Sequence, residues 1–390
     1  MRTILFLLIT ITLSLGAGRY LSPIPLPKTY FIDLDIYPCD RYCLQQHLEN
    51  EEYLSFMAKI DKDKLKNFEQ EYRRLATLLN AHSLIPASDI RIMILYHTRL
   101  RKYANKAFKA LMGYLLATER PFAIKSRSYS DESSFRDRLD SITSDLVILL
   151  ISYPESYLLQ DLTIEKPVFI PTLYKHYTTL SDPMLFFGGA NYPDQAKALL
   201  DLGSSKMSVF YLKNSFLSKK ITEEFNTTIP VRLYPVDKSV KNLSYQLRRN
   251  RELNATSAVF NTPLIKTSLI LSQMRLYDIR PPKKLSTQIN YNPKLFHLTQ
   301  PKDRSGLLIA TNFSKPPMEV YANALTFDEN LEYEWIGYSS CIGMENLLDI
   351  KKLFEEVFMD NQLQFRTNIK RVKAFGFEEY RRAPENSPGF

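Results

Sequence analysis

The chain has 390 residues, with 51 Lys and Arg against 42 Asp and Glu, a formal charge of +9 at neutral pH. That length can hold two or three domains with sizeable cores, and no segment after the first eighteen residues is long and apolar enough to cross a bilayer. The basic residues are spread out, densest at Arg248-Arg249-Asn250-Arg251, Pro281-Pro282-Lys283-Lys284 and Lys370-Arg371-Val372-Lys373. With no nucleic-acid-binding motif beside them, they point to anionic surfaces or acidic partners and away from DNA or RNA.

Residues 1–18 read as a secretory signal peptide. Arg2 supplies a positive start, Ile4–Leu15 a twelve-residue apolar core, and Gly16-Ala17-Gly18 a region of small residues. The competing reading is an uncleaved N-terminal anchor, but spanning a bilayer takes about 20 apolar residues. Without Arg2, 50 basic residues face 42 acidic ones, a charge of +8. The expected product is exported and periplasmic.

Residues 19–88 form a helical extension. Pro23, Pro25 and Pro27 make an extended lead-in. One helix is predicted through Leu44, Leu48, Tyr53, Phe56 and Met57, and a second through Leu65, Phe68, Tyr72, Leu75, Leu78 and Leu79. This hairpin would serve as a cap or docking surface, with Ile85-Pro86-Ala87-Ser88 linking it onward. In an oxidising compartment Cys39 and Cys43 are expected to form a disulfide, a tight fit if both lie in one regular helix, with free buried thiols as the alternative. His47 continues their spacing on the same helix face. A metal reading of the three lacks a fourth ligand and matches no familiar zinc spacing, so no metal is expected. Cys341 is expected to stay reduced and buried.

From Asp89 to Phe313 short apolar runs alternate with amphipathic helices. The strands predicted are Ile90–Tyr96, Phe122–Ile124, Leu146–Ile151, Pro167–Ile170 and Leu185–Phe187, then Met207–Leu212, Val231–Tyr234, Ala258–Phe260, Leu295–Leu298 and Leu307–Ala310. Helices are predicted at Leu100–Thr118, Ser134–Ile142, Pro193–Leu202, Phe216–Phe225 and Pro263–Met274. Strands that read as continuous apolar runs between helices are buried on both faces of a parallel sheet. The programme runs nearly twice, with a break near residue 185, so two parallel-sheet lobes facing each other across a cleft are expected. Lobe 1 is placed at 89–184 and lobe 2 at 185–317. Segment 318–380 completes the lobes, with strands at Tyr333–Tyr338 and Phe365–Phe375 around a helix at Asn346–Phe358. Residues 381–390 form a disordered tail.

The strand and long helix at Arg91–Thr118, Asp145–Ser152, Pro167–Thr172 and above all Phe187-Gly188-Gly189-Ala190-Asn191-Tyr192-Pro193-Asp194-Gln195-Ala196 resemble the type I periplasmic-binding-protein family. That family includes the branched-chain amino-acid receptors of ABC importers and the periplasmic regulator domain that activates penicillin-binding proteins. The resemblance covers roughly residues 89 to 345. It implies an α/β fold of two parallel-sheet lobes, here with an N-terminal helical extension. It further implies that Ser152 and Thr172 offer hydroxyls to a ligand's carboxylate and ammonium, that Tyr192 stacks over the ligand, and that Asn261 faces it. Arg99 and Arg127, with His97, Tyr129, Lys175 and His176 on nearby loop ends, would favour an anionic ligand.

Where family receptors have a Gly-rich turn after the first strand, this chain has His97-Thr98-Arg99-Leu100-Arg101-Lys102, and only 11 glycines overall, about 3% against a usual 7%. Close approach of a small ligand to backbone is harder here. The chain also has no Gly-x-Ser-x-Gly elbow, Gly-x-Gly-x-x-Gly, phosphate loop or His-Glu-x-x-His; no catalytic residue and no cofactor are expected. Asn226 and Asn254 each sit in an acidic-x-Asn-x-Thr sequon of the bacterial N-glycosylation type. Two functions follow. The first is a non-enzymatic scaffold or regulator of an envelope machine, of cell-wall-synthase or flagellar-motor type, acting through a protein partner. The second is a solute receptor of an ABC importer for an amino-acid-like or anionic ligand.

Overall fold

The structure, a computed structural model, describes residues 31, 33, 35, 37–79, 81, 90–118, 122–160, 162–226, 229–348 and 350–381. The expected signal peptide, the Ile85–Ser88 link and nearly all of the expected tail lie outside them. The described residues fall into two compact units dividing between residues 87 and 88.

The first unit holds α1 (Arg41–Glu49), α2 (Tyr53–Lys59), α3 (Lys62–Leu65) and α4 (Glu69–Leu78). Each of the two helices expected from the periodicity is therefore broken into two. Asp40 caps α1 through the Cys43 N–H, 2.8 Å away, and Asp61 caps α3 through the Lys64 N–H. Glu51, left-handed at φ 60°, ends α1 and reverses the chain into α2. Leu44, Phe56, Ile60, Phe68 and Leu75 make the core, with Phe56 edge-on to Phe68 at 5.7 Å. Cys39 and Cys43 form a disulfide with Cα atoms 5.3 Å apart. Cys39 precedes the cap residue, so only one partner lies within the helix and the strain expected of an all-helical pair does not arise.

The second unit contains two seven-stranded sheets. The first is built by β1 (Ile90–His97), α5 (Arg101–Thr118), β2 (Phe122–Tyr129), α6 (Glu132–Asp140), β3 (Leu146–Leu150), β4 (Val168–Ile170) and β5 (Leu185–Phe187). The second follows with α7 (Tyr192–Leu200), β6 (Met207–Leu212), α8 (Phe216–Phe225), β7 (Val231–Val236), α9 (Ser244–Leu247), β8 (Ser257–Asn261), α10 (Leu264–Leu276), β9 (Lys284–Ser286), α11 (Lys294–Leu298), α12 (Pro301–Arg304) and β10 (Leu307–Thr311). After α13 (Met318–Thr326) and α14 (Trp335–Leu347), the chain adds β11 (Phe358–Met359) and β12 (Gln362–Leu363) to the first sheet and β13 (Asn368–Val372) and β14 (Phe377–Glu379) to the second. The orders are β11-β12-β5-β4-β3-β1-β2 and β14-β13-β10-β9-β8-β6-β7. Pairing is parallel except at β11–β12, β10–β13 and β13–β14. Every residue of β3, β4, β8 and β10 is buried, as parallel strands covered by helices on both faces require.

Five expectations change. Leu295–Leu298 is helical and only Leu295 of it is buried; the strand at this place in the sheet is β9, whose Lys284-Leu285-Ser286 carries too little apolar character to announce itself. Tyr333–Tyr338 is not a strand, because α14 begins at Trp335, and the expected helix at 346–358 gives way after Leu347. Residues Gly337–Glu345 are all buried between α5 and strands β3 and β4, so α14 has no exposed face and leaves no helical periodicity. Of Phe365–Phe375 only the stretch forming β13 is strand. Finally, β5 pairs with β4, so residues 185–187, expected to open the second lobe, close the first.

Three crossovers join the lobes: residues 188–191, 312–317 and 364–367. A buried amide network ties all three together. Asn312 Oδ1 accepts from the Asn191 N–H at 2.9 Å and from Gln195 Nε2 at 2.5 Å, while Asn312 Nδ2 donates to Thr367 Oγ1 at 3.0 Å. Gln288 closes the ring, accepting from Gln195 Nε2 and from the Asn312 N–H and donating its own N–H to Gln195 Oε1, each at 2.9 Å. At the first crossover Gly189 lies so close to Leu173 and Tyr174 that a Cβ would stand 2.2 Å from the Leu173 carbonyl carbon; only glycine fits.

Candidate functional site

In doubly wound sheets ligands sit beyond the carboxyl ends of the strands, where the strand order reverses. In the first lobe that place lies between β1 and β3. There β1 delivers His97 and the turn Thr98–Leu100, and β3 leads to Ser152, which caps the turn Tyr153–Leu159. The place is occupied by the chain itself. Glu155, its side chain 13% exposed, accepts from Ser152 Oγ at 2.5 Å and from the Ser152 N–H at 3.1 Å. It also pairs with Arg99, whose Nε donates to His97 Nδ1 at 3.2 Å, and lies 3.7 Å from His97 Nε2. Burial alone would raise the Glu155 pKa, but the Ser152 hydrogen bonds, together with the pull of His97 and Arg99, outweigh it and hold the carboxyl below the ordinary value of 4.5. Tyr129, edge-on to His97 at 5.4 Å, is buried beside this cluster, and its hydroxyl has no hydrogen-bond partner.

The hydroxyl of Thr172 is likewise engaged within the lobe, donating to the Ile151 carbonyl at 2.6 Å. Aromatic groups then bridge the two lobes. Tyr153 accepts from the Tyr174 N–H at 2.9 Å and stacks on Phe216, the first residue of α8 in the second lobe, at 5.1 Å. Tyr177, also from the first lobe, packs against the second lobe's core around Ala190, Tyr192 and Ala196. Tyr192 is 9% exposed; burial, then the nearby hydroxyls of Tyr153 and Tyr103, push its pKa upward. The tyrosine expected to cover a ligand thus lies among side chains of the opposite lobe.

The remaining candidates are dispersed. Asn261 is fully buried under α8, its amide donating to the Ser218 carbonyl at 2.6 Å and to Thr222 Oγ1 at 2.7 Å, so it braces that helix. Arg127, on the edge strand β2, bonds Ser141 Oγ at 2.8 Å, away from Glu155. Lys175 forms a 2.8 Å ion pair with Asp360 and lines a surface groove with His176 and Gln362. Asn226 is exposed at the end of α8. Asn254 is exposed too, but Thr256 of its sequon is buried against Ser208. The residues that matter most here, Glu155, Tyr153 and Phe216, are absent from the expected set. The spacing Ser152-x-x-Glu155, a capping box, was the available signal for the first. Among the described residues, the group able to hold a metal is Cys39, Cys43 and His47 in the first unit.

Two α/β lobes with strand order 2-1-3-4-5, joined by three crossovers, make the type I periplasmic-binding-protein fold. Solved structures bear this out. The leucine-binding protein LivK of Thermotoga maritima is 12% identical with a TM-score of 0.55, covering 75% of this chain and 98% of its own. LivJ of Streptococcus pneumoniae, a branched-chain amino-acid substrate-binding protein solved with isoleucine, is 11% identical at 0.54, covering 74% and 97%. A branched-chain amino-acid periplasmic ligand-binding protein of Burkholderia xenovorans is 10% identical at 0.54, covering 75% and 95%. At such identities the likeness is one of fold. No protein-family model and no curated protein matches the sequence. Among the described residues no helix is long and apolar enough to cross a membrane.

Proposed function

We propose that this is an exported, non-enzymatic scaffold or regulator of an envelope machine, of cell-wall-synthase or flagellar-motor type, built on a solute-receptor fold whose cleft no longer takes a small ligand. The observation that carries this reading is the occupation of the cleft by the chain itself. Glu155 already provides the carboxylate that Ser152, His97 and Arg99 would otherwise find in a ligand, and Tyr153 on Phe216 joins the lobes as a ligand would. The amide network across all three crossovers supports it, since a receptor that closes on its ligand needs hinge residues free to turn. The basic surface gives such a protein an attraction to acidic partners.

The competing function is the solute receptor of an ABC importer, which the receptor neighbours of the fold favour. A thermal-shift screen of free amino acids, dicarboxylates, phosphates and cell-wall peptides separates the two. A ligand at 100 times its Kd adds about 2.7 kcal/mol to folding stability, several degrees in Tm for a unit of this size. We expect no compound to produce such a shift. A shift of that size, lost in Ser152→Ala or Thr172→Ala, would establish the receptor instead.

A further inference from the structure

We propose that the Cys39–Cys43 disulfide conceals a metal site: once it is reduced, Cys39 Sγ, Cys43 Sγ and His47 Nε2 form a three-ligand site for Zn2+. The inference is independent of how the cleft is read. His47 lies one helical turn beyond Cys43, so the two side chains share a face of α1, and Cys39 stands a further turn back, just before the Asp40 cap. All three ligand atoms lie within 4.8 Å of one another. With Zn–S of about 2.3 Å and Zn–N of about 2.0 Å, a tetrahedral S···N edge is about 3.5 Å long. Cys43 Sγ and His47 Nε2 already stand 3.6 Å apart.

The imidazole is also oriented as a metal ligand requires. Its Nδ1 lies 2.5 Å from Glu52 Oε2, so Nδ1–H donates to the carboxylate and the Nε2 lone pair is left facing the sulfurs. This contact follows from the local fold. The left-handed Glu51 reverses the chain, and the Glu52 N–H bonds the His47 carbonyl at 2.8 Å, which returns the carboxylate to the ring. Cys39 is buried while Cys43 and His47 are half-buried, which leaves one side open for a water as fourth ligand. Two thiolates, an imidazole and an open position suit Zn2+.

The disulfide and the metal exclude each other, because a disulfide sulfur carries no thiolate charge. A dithiol reductant supplies two electrons and two protons; the S–S bond breaks, two thiols form, and the reductant leaves as its own disulfide. Zn2+ then displaces both thiol protons to solvent.

Co2+ titration of the full chain, with thiolate-to-cobalt charge-transfer absorption as the signal and Zn2+ as competitor, tests this. The expected result is one Co2+ per reduced chain, none on the oxidised chain, and displacement by Zn2+. A Cys39→Ser/Cys43→Ser chain gives the background from the buried Cys341. Binding should weaken at least tenfold in His47→Ala and ten- to a hundredfold in Glu52→Gln. A reduced chain no better than the Ser double variant, His47→Ala equal to wild type, or one metal shared by two chains would each overturn the proposal.

Discussion

At the residue scale two glutamates, Glu155 half-buried and Glu329 buried, carry opposite pH dependences. Glu155 is held below the ordinary value of 4.5, so the stability it contributes is present above that value and is lost as pH falls through the lower folded pKa. Glu155→Gln should cost about 1 kcal/mol at neutral pH, the scale for removing the charged partner of a half-buried hydrogen-bond cluster. The gap to wild type should close in acid, which denaturant unfolding from pH 3 to 7 would reveal. Glu329 behaves the other way. Burial, then the nearby charge of Glu334, raise it to about 7 against the opposing pull of Lys106 and Lys109, and its buried Oε1 has no hydrogen-bond partner. Its contribution is complete below 4.5 and is lost as pH rises toward 7. Glu329→Gln should therefore unfold at higher denaturant than wild type above pH 7, by up to about 3 kcal/mol, and lose that advantage near pH 4.5. An advantage that persists unchanged into acid would refute this account of Glu329.

At the element scale, legibility in the sequence follows the pattern of burial. Strands β1, β3 and β6 and helices α5 and α8 were readable because runs such as Leu146–Leu150 are uniformly apolar and α8 has one wet face. Helix α14 was not, because burial on all sides erases its period, and β9 was not, because its position is set by neighbours and not by its own residues. The site divides in the same way. Ser152, Thr172 and Tyr192 were named through the family resemblance, but the contacts that join the lobes come from far apart in the chain: Phe216 lies over sixty residues from Tyr153, and Asn312 meets Asn191 and Thr367 only once three crossovers converge. Close approach between helices also escapes periodicity. At Gly113 on α5 a Cβ would stand 2.7 Å from the Ala324 backbone nitrogen of α13. Gly113→Ala should force the helices apart and cost about 1–3 kcal/mol, read as a lowered urea midpoint with unchanged m; an unchanged midpoint would show that α13 can shift without cost.

For the whole molecule, the fold is shared with ligand-binding proteins, and here the lobes are joined by an aromatic bridge and by buried amides at every crossover. That combination makes one interlobe distance the expected state with or without small molecules, as the proposed scaffold function requires. The aromatic stack adds about 0.5–1.5 kcal/mol beyond its buried area, so removing both rings should broaden the distance without unfolding either lobe. Pulsed electron paramagnetic resonance with spin labels at the exposed Ser133 on α6 and Lys302 on α12, each replaced by cysteine, measures this directly. The expected result is one narrow distance, unmoved by free amino acids or by the anionic compounds of the screen, and broadened by Tyr153→Ala/Phe216→Ala. A second distance population in the wild-type background that an added ligand enriches would contradict it and show a receptor that closes.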